Sequence, residues 1–144
     1  MEAYLIATAC TKFEKKADQT FKSLTEEVYS DLLNSAKVEN GNMIGQAWFG
    51  NCGMGTFGQN NIRGQVCFTP LVQKKLFPER VGIINVEGGC ATGSMAFHGA
   101  WKDVISGTED VSLAIGVEKI YQPNQPEKIQ EIYDGGIDQF DRNE

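Results

Sequence analysis

The residues best suited to chemistry in this chain fall in one octapeptide, Glu87-Gly88-Gly89-Cys90-Ala91-Thr92-Gly93-Ser94. Its thiol lies between a β-branched apolar run, Val81 to Val86, and a helical pattern that runs from Ser94 to Ile105. A cysteine at a helix N-terminus faces unpaired backbone N–H groups and the positive end of the helix dipole, which favour a thiolate over a thiol near neutral pH. Small neighbours leave room for a substrate. Cys90 is therefore the candidate catalytic residue, and the chemistry it offers is nucleophilic.

The other reactive residue types offer less. Cys10, Cys52 and Cys67 form no C-x-x-C with each other or with Cys90. Together with His98, the only histidine, they make a poor zinc set, so no metal site is expected. That spacing suits reduced thiols rather than a disulfide framework. Cys10 and Cys67 sit in strand-like or apolar runs and are expected to pack as small buried hydrophobes. Cys52, in Gly50-Asn51-Cys52-Gly53, could line a cleft without reacting. A redox-sensing role for Cys90 needs a resolving cysteine close by, and none is near in sequence. His98 lies two helical turns beyond Cys90, about 12 Å along the axis, too far to serve as its base. It is expected to be a packed or hydrogen-bonded helix residue. Gly53-Met54-Gly55-Thr56-Phe57-Gly58 matches G-x-G-x-x-G, but no long apolar helix opens at its third glycine. Glu79 also comes before its strand begins, so the match reads as a flexible or tightly packed loop and no cofactor-binding residue is assigned.

The elements that must position Cys90 alternate. Tyr4 to Cys10 reads as a strand. Ser23, with Glu26 three residues on, reads as the capping box of a helix that runs to about Lys37 and ends at Asn40-Gly41-Asn42. Leu24, Val28, Leu32 and Ala36, flanked by Phe21 and Leu33, form its apolar stripe. Gln46 to Phe49 is a short strand, Gly50 to Gly64 a glycine- and asparagine-rich loop passing into a helical turn around Ile62 to Val66, and Pro70 and Pro78 bracket a connection. The strand Val81 to Val86, the helix from Ser94 and a strand Val111 to Val117 follow. The order predicts an α/β layered sheet. Met95, Ala96, Phe97, Ala100, Trp101, Val104 and Ile105 wrap most of the last helix, which implies cover from another domain or subunit. Tyr121 to Glu144 is polar, with two prolines and a Gly-Gly pair, and reads as an irregular extension leading into further sequence.

Composition bounds the function. With 144 residues, 41% apolar and 22% charged, the chain is long enough for one domain with a core. A net charge of −6 and the absence of clustered Lys and Arg exclude a nucleic-acid footprint. No apolar stretch reaches the length of a membrane span, and Met1-Glu2-Ala3-Tyr4 is unlike a signal peptide, so a cytoplasmic location is expected.

Gly88-Gly89-Cys90-Ala91-Thr92-Gly93-Ser94-Met95-Ala96, followed by Ile105-Ser106-Gly107 and Val111-Ser112-Leu113-Ala114-Ile115-Gly116-Val117-Glu118, resembles the nucleophile region of the thiolase superfamily. Phe49-Gly50-Asn51 and Gly58-Gln59-Asn60 resemble the family's Gly-Asn and Gly-Gln-Asn positions. Thr11-Lys12-Phe13 resembles the opening of the branch containing sterol carrier protein thiolases and archaeal acetyl-CoA acetyltransferases. The likeness covers most of Tyr4 to Ile120, with Ile115 standing where the family has a glycine.

The resemblance implies a thiolase-like half-domain over residues 1–120, with a mixed sheet of the five-stranded type and helices on both faces. Residues 121–144 would begin the family's loop insertion or form an irregular tail. It implies an acyl-CoA thiolase, in which Cys90 accepts the acyl group of a coenzyme A thioester and passes it to a carbanion or to free coenzyme A. Coenzyme A enters as substrate and no bound cofactor is implied. The second half of the family's fold supplies the histidines, a second reactive cysteine and most of the coenzyme A site, so this stretch alone is expected to be inactive. A homo-oligomer, a dimer at least, and a small zinc-ribbon, OB-fold partner are further implications. The alternative is a non-catalytic thiolase-like subunit serving as an interaction scaffold, with Cys90 a packed helix-start residue.

Overall fold

Three short runs supply a parallel sheet, because none is joined to the next by a turn short enough for a hairpin. In a computed structural model, which describes residues 2–141, they are β1 (Gln46–Gly50), β2 (Gly82–Val86) and β3 (Ser112–Gly116), ordered β2-β1-β3. Four helices accompany them: α1 (Phe21–Ala36), α2 (Arg63–Gln73), α3 (Thr92–Ser106) and α4 (Glu127–Asp134). Gly50 pairs with Val86 on one side and Gly116 on the other, so the three strands end flush. Every loop leaving a carboxyl end starts from one edge of the sheet.

Side-chain alternation along β1 builds the layers. Ala47 and Phe49 are buried toward α2, where Phe49 meets Phe68 edge-on at 6.3 Å between ring centroids. Trp48 and Gly50 point the other way, toward α3. The first layer continues into a cluster of Tyr29, Phe68 and Phe77, with centroids 4.5–5.9 Å apart, each pair contributing about 0.5–1.5 kcal/mol beyond area burial. The Tyr29 hydroxyl donates to the Leu76 carbonyl at 3.2 Å, which gives this fully buried phenol a partner.

Several expectations are corrected. The described residues form a three-stranded parallel sheet, not a mixed five-stranded one. Tyr4 to Cys10 makes no strand pairing: Tyr4, Leu5 and Ile6 are 77%, 68% and 70% exposed, so the run has no apolar face buried that would fix a register. It lies opposite β3 across a cleft of about 540 Å³, whose other wall includes Leu32, Phe97 and Trp101. Cys10 is accordingly exposed, whereas Cys67 is fully buried as expected.

The N-cap of α1 is Thr20. Its hydroxyl accepts from the Ser23 N–H at 3.1 Å and the Ser23 hydroxyl accepts from the Thr20 N–H at 2.8 Å. Serine thus replaces the expected Glu26 as the reciprocal partner. The helix ends at Lys37, in the left-handed region at φ 57°, before Asn40 is reached. Its buried face centres on Leu24, Tyr29 and Leu33, with Val28 and Leu32 half-buried beside it. The helical turn expected near Ile62 is the start of α2, which runs through Pro70. Burial of Gly64, Cys67, Phe68 and Leu71 on one face outweighs the backbone bond that proline cannot make. Within the polar segment expected to be irregular, α4 forms, and Ile132 reaches to Gly53. No helix of the described residues is long and apolar enough to cross a membrane.

The crossing of α3 over β1 rests on Gly99. A Cβ there would lie 2.4 Å from Trp48 Cδ2, and the indole cannot swing clear, because its Nε1 donates to Asp103 Oδ2 at 2.7 Å. The same oxygen accepts from the Ser112 hydroxyl at 2.8 Å, so Asp103 binds both strands instead of facing water. Gly99→Ala is expected to destabilise by about 1–3 kcal/mol, overpacking outweighing the better helix propensity of alanine. Urea unfolding followed by tryptophan fluorescence measures it; an unchanged or raised midpoint would contradict this packing.

Candidate active site

Glycines, a threonine and a buried asparagine shape the edge where the strands end. After Val86 the chain enters Glu87-Gly88, then a single 3₁₀ turn, Gly89–Ala91, that leads directly into α3. Gly89 takes φ 57°, a conformation costly for residues with a Cβ. Thr92, buried at the first helical position, fixes the turn from within. Its hydroxyl donates to the Gly89 carbonyl at 2.7 Å and accepts from the Gly88 N–H at 2.9 Å. Gly50 permits this, since a Cβ on it would stand 2.9 Å from Thr92 Cγ2. Cys90, carried on the outside of this turn, is exposed.

The loop leaving β1 is locked beside it. Asn51, almost fully buried, donates through Nδ2 to the Val117 carbonyl at 2.7 Å and accepts from the Met54 N–H at 2.9 Å. The Glu118 carboxylate, just past β3, accepts from the Cys52 N–H at 2.9 Å, the Gly53 N–H at 3.1 Å and Asn51 Nδ2 at 3.2 Å. Arg63, which opens α2, donates through its guanidinium to the Asn51 carbonyl at 2.6 Å. Charge-assisted bonds of this kind are the stronger sort. They leave the Cys52 thiol 3.0 Å from the Gly89 carbonyl and 3.0 Å from the Thr92 hydroxyl. Burial, opposed by that hydroxyl contact and reinforced by the Glu118 and Glu87 carboxylates, pushes the Cys52 thiol above its ordinary range, so it stays protonated at neutral pH. Cys67 is raised too, chiefly by burial.

Of the residues singled out in the sequence, the fold brings Cys52 to the Cys90 turn and leaves His98 and Cys10 elsewhere. His98 is exposed and stacks on Trp101 at 5.3 Å and 19° between planes, instead of packing inside. With Met95, Phe97 and Trp101, 42–53% exposed, it marks an uncovered apolar side of α3. The glycine-rich match does not open a long helix: a 3₁₀ turn, Gly53–Phe57, closes at Gly58 with φ 93°. Thr92, Asn51 and Cys52 gained no structural role from the sequence, because the contacts that join the three loops, Cys52 to Gly89 and Thr92, and Asn51 and Cys52 to Val117 and Glu118, span 37 or more residues. The Gly-Asn and terminal Glu positions at Asn51 and Glu118 were the available signal. Among the described residues no group of His, Cys, Asp and Glu could hold a metal ion.

Comparison with known proteins identifies the family. Residues 3–136 match the thiolase N-terminal domain, and the chain belongs to that family. It is 32% identical over 117 residues to the benzoylsuccinyl-CoA thiolase subunit BbsB of Thauera aromatica, an alignment covering 81% of this chain and 28% of that relative. The same identity and coverage relate it to the acetyl-CoA acetyltransferase of Methanocaldococcus jannaschii. The chain therefore spans 28% of the length of these curated relatives.

Removing the Glu118 carboxylate should loosen the loop after β1. In Glu118→Ala, amide exchange at Cys52 and Gly53 is expected to speed up by about tenfold, the equivalent of one lost net hydrogen bond, with Glu118→Gln in between. Hydrogen exchange read by NMR tests this; unchanged protection at both amides would show that the carboxylate does not hold the loop.

Proposed function

We propose that this chain is the nucleophile-bearing part of an acyl-CoA thiolase, and that Cys90 is its covalent catalyst. Family membership supports a thiolase-type acyltransferase, and one observation carries the assignment to Cys90: its thiol is exposed on a turn whose backbone is held from inside by Thr92 and from beside by the β1 loop. In this reading the Cys90 thiolate attacks the carbonyl carbon of an acyl-CoA. The carbon–sulfur bond to the enzyme forms, the coenzyme A thiolate leaves, and the acyl group is held as a new thioester. Transfer to a carbanion completes a condensation, and transfer to coenzyme A completes thiolytic cleavage. In this reading the backbone N–H of Cys90, at the turn that opens α3, donates to the carbonyl oxygen as it develops negative charge.

A general base must come from outside residues 1–144, since the only histidine is stacked on Trp101, two turns down α3. That points to a further thiolase half docking near the uncovered side of α3, and to an oligomer of the assembled enzyme. The Thr11-Lys12-Phe13 opening favours the sterol-carrier-protein and acetyl-CoA acetyltransferase branch, and with it a small zinc-ribbon, OB-fold partner. Exposure of Cys90 counts against the scaffold alternative, which needs that residue packed.

Iodoacetamide at neutral pH is expected to label Cys90 stoichiometrically and about tenfold faster than the exposed Cys10. Cys52 should lag until alkaline pH, because its thiol titrates above the ordinary range. Mass spectrometry of the labelled peptides reads all three sites. In the assembled enzyme, acyl-CoA should slow the reaction at Cys90; a Cys90 that stays unlabelled there would favour the scaffold. Residues 1–144 alone should show no thiolytic turnover, and turnover by this chain would overturn the need for a second half.

A further inference from the structure

The feature the proposed reaction leaves unused is the second thiol at the same turn. Cys52 and Cys90 are 38 positions apart in sequence, yet the flush ends of β1 and β2 bring their loops together. The Cys52 sulfur lies 3.0 Å from the carbonyl oxygen of Gly89, the residue bonded to Cys90. Trans-peptide geometry puts that oxygen about 2.8 Å from the Cys90 Cα, so the Cys52 sulfur lies within about 6 Å of it. A disulfide holds the two Cβ atoms about 3.8 Å apart and so sets the partner sulfur about 4 Å from that Cα, a closure of about 2 Å from the separation here. The space beside Gly89, where a Cβ would meet nothing within 4 Å, and the exposure of Cys90 leave the Cys90 side chain room to turn toward Cys52 while the backbone stays held by Thr92.

We propose that Cys52 is a resolving thiol for Cys90, and that oxidation by a hydroperoxide joins the two in an intramolecular disulfide that shields the nucleophile from irreversible damage. In the first step the Cys90 thiolate attacks one oxygen of the peroxide. An S–O bond forms, the O–O bond breaks, and the second oxygen leaves as hydroxide, or as alkoxide from an organic peroxide, so that sulfur loses two electrons. In the second step the Cys52 sulfur attacks the Cys90 sulfur. An S–S bond forms, the S–O bond breaks, and the oxygen leaves as water, taking up the Cys52 proton. Two equivalents of an external thiol reverse the change. The division of labour follows from surroundings. Cys90 is open to a small oxidant, whereas Cys52, half-buried and held protonated by burial and the Glu118 and Glu87 carboxylates, is the poorer first target and the nearer second one. Cys67 is sealed in the core against Met54, and Cys10 lies on the unpaired N-terminal run.

This inference shares with the proposed function the premise that Cys90 is reactive, and one experiment separates the two. The full chain is treated with hydrogen peroxide, quenched with N-ethylmaleimide under denaturing conditions, digested without reductant and analysed by mass spectrometry, alongside Cys52→Ser. The expected product is a cross-linked pair of peptides containing Cys52 and Cys90, two hydrogen masses lighter than their sum, formed at a rate independent of protein concentration and reversed by dithiothreitol. In Cys52→Ser, dimedone-trapped sulfenic acid and sulfinic acid at Cys90 should rise by about tenfold over the parent chain. Equal accumulation of these products in both proteins, with no cross-link, overturns the resolving role and leaves the nucleophile reading intact. A Cys90 cross-linked to Cys10 in place of Cys52 also overturns it. A Cys90 untouched by peroxide in both proteins overturns both readings together.

Discussion

The alignment of three parallel strands at their carboxyl ends is the constraint from which the rest follows. Because Gly50, Val86 and Gly116 stand in one row, the loops that leave them have no choice but to share a narrow strip of edge. Crevices outside the carboxyl ends of parallel strands are where α/β folds place their chemistry. Here the strip is filled by polar groups that satisfy one another: a carboxylate after β3 receives the amides after β1, and a hydroxyl at the start of α3 closes the turn after β2. Glycine at position 50 sets how near the helix can come.

This arrangement separates support from reactivity. Thr92, Asn51 and Gly99 are buried and have their partners; Cys90 is carried outside them. A nucleophile on a turn fixed by its neighbours need not lose much conformational freedom when a substrate arrives, which is the advantage of placing reacting groups on a rigid frame. The same frame holds Cys52 beside the turn without presenting it to solvent to the same degree.

Much of this was legible in residue order. The strands at Gln46, Gly82 and Ser112 and the helices carrying Leu24 and Ala96 announce themselves through apolar spacing and glycine punctuation, and the Cys90 block announces its turn. What escaped was decided at long range. Tyr4 to Cys10 has every local mark of a strand, but pairing also requires a buried face, and with Tyr4, Leu5 and Ile6 exposed the run stays across the cleft from the free edge of β3. Pro70 looks like a helix boundary until the burial of Phe68 and Leu71 is weighed against it. Ser23 in place of Glu26 as the capping partner is a one-turn ambiguity among polar residues. At the site, Cys52 looked isolated because separation along a chain says nothing about separation across parallel strands.

Among the described residues no further strand pairs with the outer sides of β2 and β3, with Ile84 and Asn85 exposed on the first and a cleft along the second. Edge strands of that kind are templates on which another copy can add, strand upon strand. Against them stands the surplus of six negative charges, which keeps like chains apart through a repulsion that fades as ionic strength rises. The colloidal fate of the free polypeptide is thus a contest between topology and charge, and salt decides it.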